Sequence, residues 1–349
     1  MRLPTTRRDI AGHRPRLTGI TRLAPPLLAL LLVLAIWIAS DLALPPVLAA
    51  WSGRLRGFVT VFLGIFIESL PFLLAGVLVS SAMHRYVSAA RVQRWSPRNP
   101  LLAAVAGSIL GLAFPVCECG SIPTARRLIA KGAALPAGIA FVLAAPVINP
   151  VVLAATFVAF GSWAMVAWRA GLTILFAVIV GLLLGTPRDP ATVVLPAVSQ
   201  GAHPDDHEHD HDHQRGAFHQ ILTHASAEFF EMGRYLIVGS LLAAALQTLV
   251  PQQALLALGN GPVLSVLVMI ALAVVLSICS TVDAFVALAF ASTFSPGAIL
   301  AFLVFGPMID IKSTLLLTST FRRRTVALMV LLCFQLALLA GVALNVYLR

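Results

Sequence analysis

Nine apolar stretches dominate this sequence and restrict what it can fold into. Each is about 20 residues long or longer, which is the length that a helix needs to cross a bilayer. None shows the strict alternation of barrel strands, so the predicted fold class is an all-α polytopic membrane protein. The stretches lie near residues 26–49, 57–83, 100–118, 133–160, 164–186, 229–250, 262–282, 296–320 and 325–347.

Composition and charge support a membrane location. The chain is 59% hydrophobic and 11% charged, whereas soluble domains average roughly 25% charged residues. Much of its net charge of +10 lies at the flanks of the apolar stretches, where basic residues favour the cytoplasm. The expected surroundings are therefore a lipid bilayer, and the charge does not indicate binding of nucleic acid.

The N-terminal part is predicted to be separate from the rest of the membrane domain. Residues 1–23 are basic and are assigned to the cytoplasm, and residues 24–56 are assigned to an extra transmembrane helix. A cleaved signal peptide fits less well, because its apolar region would be shorter and because further spans follow.

Landmarks of the first half recur in the second half. Glu68 matches Glu231, Cys119 matches Cys279 and Pro146 matches Pro307, at offsets of 163, 160 and 161. Near-constant offsets predict two tandem homologous units, residues 57–186 and 228–349, each with about four transmembrane helices and with broken or re-entrant segments.

The relative orientation of the two units is left open by the sequence. An even number of crossings in each unit makes the units parallel, and an odd number inverts them. Residues 120–132 and 283–294 have the length of half-helices, so the count of four per unit depends on whether they cross.

A polar linker, residues 187–227, separates the units and is rich in histidine and aspartate. Such a composition cannot bury enough apolar surface to fold alone, so a flexible segment is predicted. Alternating imidazoles and carboxylates can bind zinc or another divalent metal, although a solvated linker with incidental histidines fits as well. The candidate metal ligands are His203, His207, His209, His211 and His213.

Cys117, Glu118 and Cys119 form the motif with the most distinctive chemistry. They follow an apolar stretch and precede glycine and proline, a pattern that predicts a broken helix, where transporters place substrate sites. Thiolates are soft ligands suited to soft metals and metalloids. The alternative is a kinked helix end with two buried thiols, and Cys333 is interpreted as a packing residue of that kind.

Further polar residues inside the apolar stretches are candidate functional residues, because ionisable groups in a membrane are costly. Glu68 and Glu231 are assigned to proton coupling or gating, together with Lys312, which can instead form an interfacial pair with Asp310. The remaining candidate substrate ligands are Asn149, Cys279, Asp283 and Asp310.

Three segments resemble the YraQ/ArsP family of bacterial permeases. These are Cys-Gly-Ser-Ile-Pro at 119–123 with the arginines at 126–127, Ala-Pro-Val-Ile-Asn-Pro at 145–150, and residues 283–287 with 306–312. The resemblance covers nearly all of the chain from about residue 57 onward. The resemblance implies a permease of the bacterial inner membrane. For part of the family it implies efflux of trivalent organoarsenicals, and for other members a place in a two-component membrane complex.

The predicted function is a secondary exporter of a soft metalloid, using membrane cysteines and carboxylates. The sequence has no phosphate-binding loop of the Gly-x-x-x-x-Gly-Lys-Ser/Thr type. Energy is therefore expected from an ion gradient, with protons as the expected coupling ion, or from a partner membrane or periplasmic subunit. The alternatives are a zinc-like divalent metal permease and a membrane subunit of a two-component complex. An enzyme is not expected, since the cysteines lack a nearby histidine base.

Overall fold

The computed structural model describes residues 30–32, 34–35, 46–113, 117–186, 192–195, 217–250 and 261–347. Within these ranges the chain forms thirteen principal helices and no strand, apart from an isolated bridge between Val194 and Phe321. The helices are α1 (Pro46–Tyr86), α2 (Ala89–Trp95), α3 (Pro100–Ala113), α4 (Glu118–Ala130), α5 (Leu135–Ile148), α6 (Pro150–Phe160), α7 (Trp163–Gly185), α8 (Ala217–Leu249), α9 (Leu264–Leu276), α10 (Asp283–Phe290), α11 (Pro296–Met308), α12 (Ile311–Leu317) and α13 (Arg323–Tyr347).

Six helical segments in the described part of the chain are long and apolar enough to cross a membrane. They are Gly53–Met83, Leu135–Phe160, Trp163–Gly185, Ala225–Leu249, Pro296–Leu317 and Arg323–Tyr347. The sequence predicts nine spans. The first predicted span lies mostly outside the described residues, and two others are the short helices α3 and α9, with 14 and 13 residues.

Two predicted boundaries fall inside helices. Helix α1 is continuous from Pro46, so the expected border between residues 56 and 57 lies within it. Helix α8 begins at Ala217, ten residues before the predicted end of the linker at residue 227. The basic segment 1–23 and the candidate metal ligands between His203 and His213 lie outside the described residues.

Two spanning segments are broken near their middle by a polar residue. Asn149 separates α5 from α6, has an extended backbone, and accepts a hydrogen bond on Oδ1 from the N–H of Val152 at 2.9 Å. Asp310 separates α11 from α12 and accepts one on Oδ1 from the N–H of Ser313 at 2.6 Å. Each side chain thus caps the N-terminus of the helix that follows the break.

Helix α3 begins, and helix α4 ends, at the same face of the molecule. The backbone N–H of Ala134, after α4, donates to Oγ of Ser96, before α3, at 3.1 Å. We call this end of the molecule face A and the pair of helices hairpin 1 (α3 and α4). Residues 114–116 at its tip lie outside the described ranges.

The packing of α3 against α5 shows that these two helices are parallel. A methyl group on Gly107 would lie 2.1 Å from the carbonyl oxygen of Ala137, and one on Gly111 would lie 2.7 Å from Cα of Ala145. Glycine is needed at both positions because only its missing side chain allows this approach. Since α3 and α5 point the same way, α4 must return the chain to face A.

Helices α9 and α10 form a second hairpin, called hairpin 2, by the same logic. Oγ of Ser265, at the start of α9, lies 3.3 Å from Oγ of Ser295, just before α11. Farther along, a methyl group on Gly306 would lie 3.2 Å from Cβ of Ala273, so α9 and α11 are parallel. Helix α10 therefore returns the chain to the face from which α9 entered.

Hairpin 2 enters from the face opposite to hairpin 1, which we call face B. Helix α7 ends at face A, because a methyl group on Gly185 would lie 2.5 Å from the backbone nitrogen of Pro136. Val193 follows shortly and accepts a backbone hydrogen bond from Arg322 at 3.0 Å. The segment from α11 to α12 therefore ends at face A, and its start, next to hairpin 2, lies at face B.

Candidate functional site

The tip of hairpin 1 carries the cysteine–glutamate motif into the protein interior. Cys117 has an extended backbone and its carbonyl accepts hydrogen bonds from the N–H groups of Gly120 and Ser121, both at 3.0 Å, which begins α4. Glu118 is the first residue of this helix. Cys117, Glu118 and Cys119 are all buried. Cys117 therefore stands directly before a new helix, and Glu118 and Cys119 form its first turn.

Lys312 connects this tip to the broken helix of the second half. Its Nζ lies 3.5 Å from Oε1 of Glu118 and 3.7 Å from Oδ2 of Asp310, and all three side chains are buried. The group therefore holds two carboxylates against one ammonium. Oε2 of Glu118 is buried and has no hydrogen-bond partner among the described residues. Buried polar atoms are normally paired, so this oxygen is available to a ligand or a proton.

Three of the four cysteines lie near this charged group. Cys117 and Cys119 flank Glu118 in the chain, and Cys119 is close enough to Cys117, Glu118 and Lys312 to interact electrostatically with them. Cys279, in the loop at the tip of hairpin 2, is close enough to Cys117 and Glu118 to interact electrostatically with them. We call Cys117, Glu118, Cys119, Cys279, Asp310 and Lys312 the thiol–carboxylate cluster.

The cluster is not arranged as a ready metal site. Within the described ranges, no group of three or more His, Cys, Asp or Glu side chains has the geometry to hold a metal ion. All four cysteines are buried and free of disulfides. Cys333, on α13, is not part of the cluster.

Asp283 belongs to a second buried ion pair. Its Oδ1 accepts a hydrogen bond from Nη1 of Arg169 at 3.1 Å, and its Oδ2 accepts one from Nη2. Nη1 of Arg169 also donates to Oγ1 of Thr156 at 2.8 Å. The pair joins hairpin 2 to α6 and α7, and its two charges compensate each other. Arg169 is not among the residues predicted from the sequence, although a single arginine in the apolar stretch 163–185 is a usable signal.

A third group of charges lies toward face A, where α4 meets α8. Nη1 of Arg126 lies 2.9 Å from Oε1 of Glu231, and Nη2 of Arg127 lies 3.6 Å from Oε2 of Glu228. Ser80 on α1 also donates to Glu228, at 3.0 Å. Glu228 was missed as well. Its spacing of three residues from Glu231 on a helix was the available signal, because residues three apart share a helix face.

The end of α4 is fastened to α1 by Lys131. Its ammonium donates to the carbonyl oxygens of Met83, at 3.1 Å, and Val87. Burial lowers the pKa of Lys131, and the positive charge of Arg127 lowers it further. This contact holds the exit of hairpin 1 against the end of α1 at face A.

Four predicted site residues lie apart from the thiol–carboxylate cluster, and one of them is Asp283, which is paired with Arg169. Glu68 is exposed on the outer surface of α1, whereas its counterpart Glu231 is ion-paired with Arg126. Asn149 is buried and caps α6. The structure thus brings together Cys117, Glu118, Cys119, Cys279, Asp310 and Lys312, and places Asp283, Asn149, Glu68 and Glu231 elsewhere.

The fold and the site define a class of protein: a multi-pass helical membrane protein with charged and thiol side chains buried at its centre. Comparison with known families specifies it further. Residues 54–346 match the ArsP_1 model, described as a predicted permease, and the chain belongs to this family of bacterial membrane proteins.

Two relatives are similar over most of their length. The UPF0718 protein YcgR of Bacillus subtilis (strain 168) is 44% identical over 272 residues, which cover 78% of this chain and 91% of the relative. A protein of Streptococcus mutans, named "Putative two-component membrane permease complex subunit", is 37% identical over 267 residues, covering 76% of this chain and 87% of the relative. No solved structure matches the chain at a significant level.

Proposed function

We propose that this chain is a secondary permease that exports a small thiophilic metalloid, with trivalent organoarsenicals as the leading substrates. The observation that carries the proposal is that Cys117 and Cys119, at the tip of hairpin 1, and Cys279, at the tip of hairpin 2, are all buried near the charged pair of Glu118 and Lys312. Thiolates are the protein ligands best suited to soft metalloids. The thiols are free of disulfides, so they are available to bind a substrate.

We further propose that the chain consists of two inverted repeats. The helices α1 and α3–α7 have counterparts of similar length and order in α8 and α9–α13. Each half contributes three candidate spanning segments and one hairpin. An odd number of crossings inverts the second unit relative to the first, which accounts for hairpins that enter from opposite faces.

Face A is assigned to the cytoplasm. Basic residues collect there, at the flank of hairpin 1 and before α13, and positive flanks favour the cytoplasmic side. Arg126 and Arg127 conflict with this rule only if residues 100–118 cross the membrane. A re-entrant hairpin 1 removes the conflict, because it brings both arginines back to face A.

The cluster combines a binding function with a charge balance suited to transport. The three thiols contact the metalloid, and Lys312 neutralises one of the two carboxylates while the site is buried. Carboxylates inside membranes commonly serve as proton relays. Coupling to an inward proton gradient is the proposed energy source for export.

Export from everted vesicles tests the proposal. Uptake of a trivalent methylated arsenical is measured for the native chain, for Cys117→Ser with Cys119→Ser, and for Cys333→Ser, with and without a proton gradient. We expect uptake by the native chain and by Cys333→Ser, and at least tenfold less by the double variant. Equal uptake by all three would remove the thiols from the mechanism. If no chain transports the arsenical, a zinc permease becomes the better hypothesis.

A second candidate is a membrane subunit of a two-component permease complex. It is favoured by the name of the Streptococcus relative, whose match covers 76% of this chain. In that case export requires a second polypeptide, and vesicles that contain only this chain are inactive. Reconstitution of the purified chain alone distinguishes the two candidates.

A further inference from the structure

Glu68 occupies an unusual position for a carboxylate in a membrane protein. It lies 15 residues from either end of the candidate span Gly53–Met83, and its side chain is exposed on the outer surface. Its neighbours on this surface are apolar and also exposed, with exposed fractions of 61% for Ile67 and 37% for Phe72. Gly64, Ile67, Glu68 and Phe72 form this outer face of α1, and all four are exposed.

No charge in the described part of the chain compensates Glu68. None of the basic side chains in those ranges lies within ion-pair distance of it. Glu231, its counterpart in the second half, is paired with Arg126 at 2.9 Å. A charged side chain facing hydrocarbon is expensive, and such residues almost always find a partner.

The apolar stretch before residue 54 offers no cation that could pair with Glu68. Residues 24–53 contain no lysine, arginine or histidine, and their single charged residue is Asp41. A second copy packed through the same face would place Glu68 near its own equivalent across a twofold axis, where like charges repel. Neither the N-terminal apolar stretch nor a second copy of this chain is therefore a favourable source of a positive charge for Glu68.

We propose that the outer face of α1 is the docking surface for a transmembrane helix of a different subunit, which carries a lysine or arginine at the depth of Glu68. This proposal rests on the second candidate function, a two-component complex. Gly64 lies on open surface, since a methyl group there would meet nothing within 4 Å, and a glycine on such a surface allows another helix to approach closely. A small residue beside a polar one is a common composition of helix–helix interfaces in membranes.

Photo-crosslinking in the native cells tests the docking surface. A photoreactive amino acid replaces Ile67 or Phe72, and Leu339, an outward apolar residue on α13, is the matched control position. We expect one additional membrane chain to be crosslinked from positions 67 and 72 and not from 339. Mass spectrometry should locate a lysine or arginine in an apolar span of that chain.

Charge reversal then decides whether Glu68 makes the contact. Glu68→Lys should lower the crosslinking yield roughly tenfold, which corresponds to the loss of one interhelical polar contact. Replacing the identified basic residue by glutamate should restore the yield. Crosslinks to lipid alone, to another copy of this chain or to its own N-terminal part, or a yield that charge reversal leaves unchanged, would overturn the proposal. Arsenical export by the purified chain alone would be unaffected by this failure and tests the first candidate function separately.

Discussion

Nζ of Lys312 lies 3.5 Å from Oε1 of Glu118, although the two residues come from opposite halves of the chain. Glu118 begins the returning helix of hairpin 1, and Lys312 stands just after the break in the segment formed by α11 and α12. The contact therefore connects a hairpin tip with a helix break deep in the protein. Through this contact, both halves of the chain contribute side chains to the proposed binding site.

Removing the ammonium should destabilise the protein strongly. In Lys312→Met the carboxylates of Glu118 and Asp310 remain buried without a cation, and breaking a buried ion pair costs about 3–5 kcal/mol. Thermal unfolding in detergent should show a lower midpoint than for Arg323→Met, an exposed control at the start of α13. Adding Glu118→Gln should recover part of the loss. Equal midpoints for Lys312→Met and Arg323→Met would mean that the pair contributes nothing to stability.

The pair of Arg169 and Asp283 should behave as a coupled unit. Arg169→Met and Asp283→Asn each leave a buried group without its partner, so each should lower the unfolding midpoint. The double variant should be less destabilised than the sum of the two. Arg169→Lys should rescue poorly, because lysine cannot reproduce the two-point contact. Additive effects of the two single changes would show that the side chains do not depend on each other.

Two glycines on α1 provide a matched test of the packing of hairpin 1. A methyl group on Gly76 would lie 2.2 Å from Cα of Gly120, whereas one on Gly64 would meet nothing within 4 Å. Gly76→Ala should therefore destabilise the protein by roughly 1–3 kcal/mol, the usual cost of overpacking. Gly64→Ala should be neutral or slightly stabilising, since alanine favours helix. The ranking of the two unfolding midpoints checks the prediction, and the reverse ranking would contradict the packing of α1 against α4.

Accessibility labelling should show that each hairpin begins and ends on one side of the membrane. Single cysteines at Arg98 and Lys131 flank hairpin 1, and single cysteines at Val263 and Thr293 flank hairpin 2. A membrane-impermeant thiol reagent should label the first pair from the cytoplasm and the second pair from outside. The native cysteines are buried, so their background should be low. Labelling of Arg98→Cys and Lys131→Cys from opposite sides would mean that hairpin 1 crosses the membrane.

Local features of the site were predictable because proline, glycine and isolated polar residues mark breaks in apolar helices. The break at Asn149, the break at Asp310 and the position of Cys117 at a helix start could all be expected from neighbouring residues. The number of crossings could not. Helix α3 and the residues after it are apolar enough to be counted as a span, and the tertiary contacts of hairpin 1 show that the chain turns back: Ala134 bonds to Ser96, and α3 packs parallel to α5.

Partners distant in sequence could not be assigned either. Asp283 was a candidate substrate ligand, but the structure pairs it with Arg169, 114 positions earlier. Lys312 was expected to pair with Asp310 or to act in coupling, and its contact with Glu118 depends on how the two halves pack. Sequence spacing defines neighbours on one helix, and contacts between helices follow from tertiary packing.

The central claim is that thiols from the two hairpin tips form one site for a soft ligand. The most direct measurement is mass spectrometry of the purified protein after reaction with one equivalent of a trivalent phenylarsenical, followed by digestion. We predict a single arsenic that bridges Cys279 to Cys117 or Cys119, with Cys333 unmodified. Arsenic bound only between Cys117 and Cys119, or distributed over Cys333 as well, would contradict a site shared by both halves.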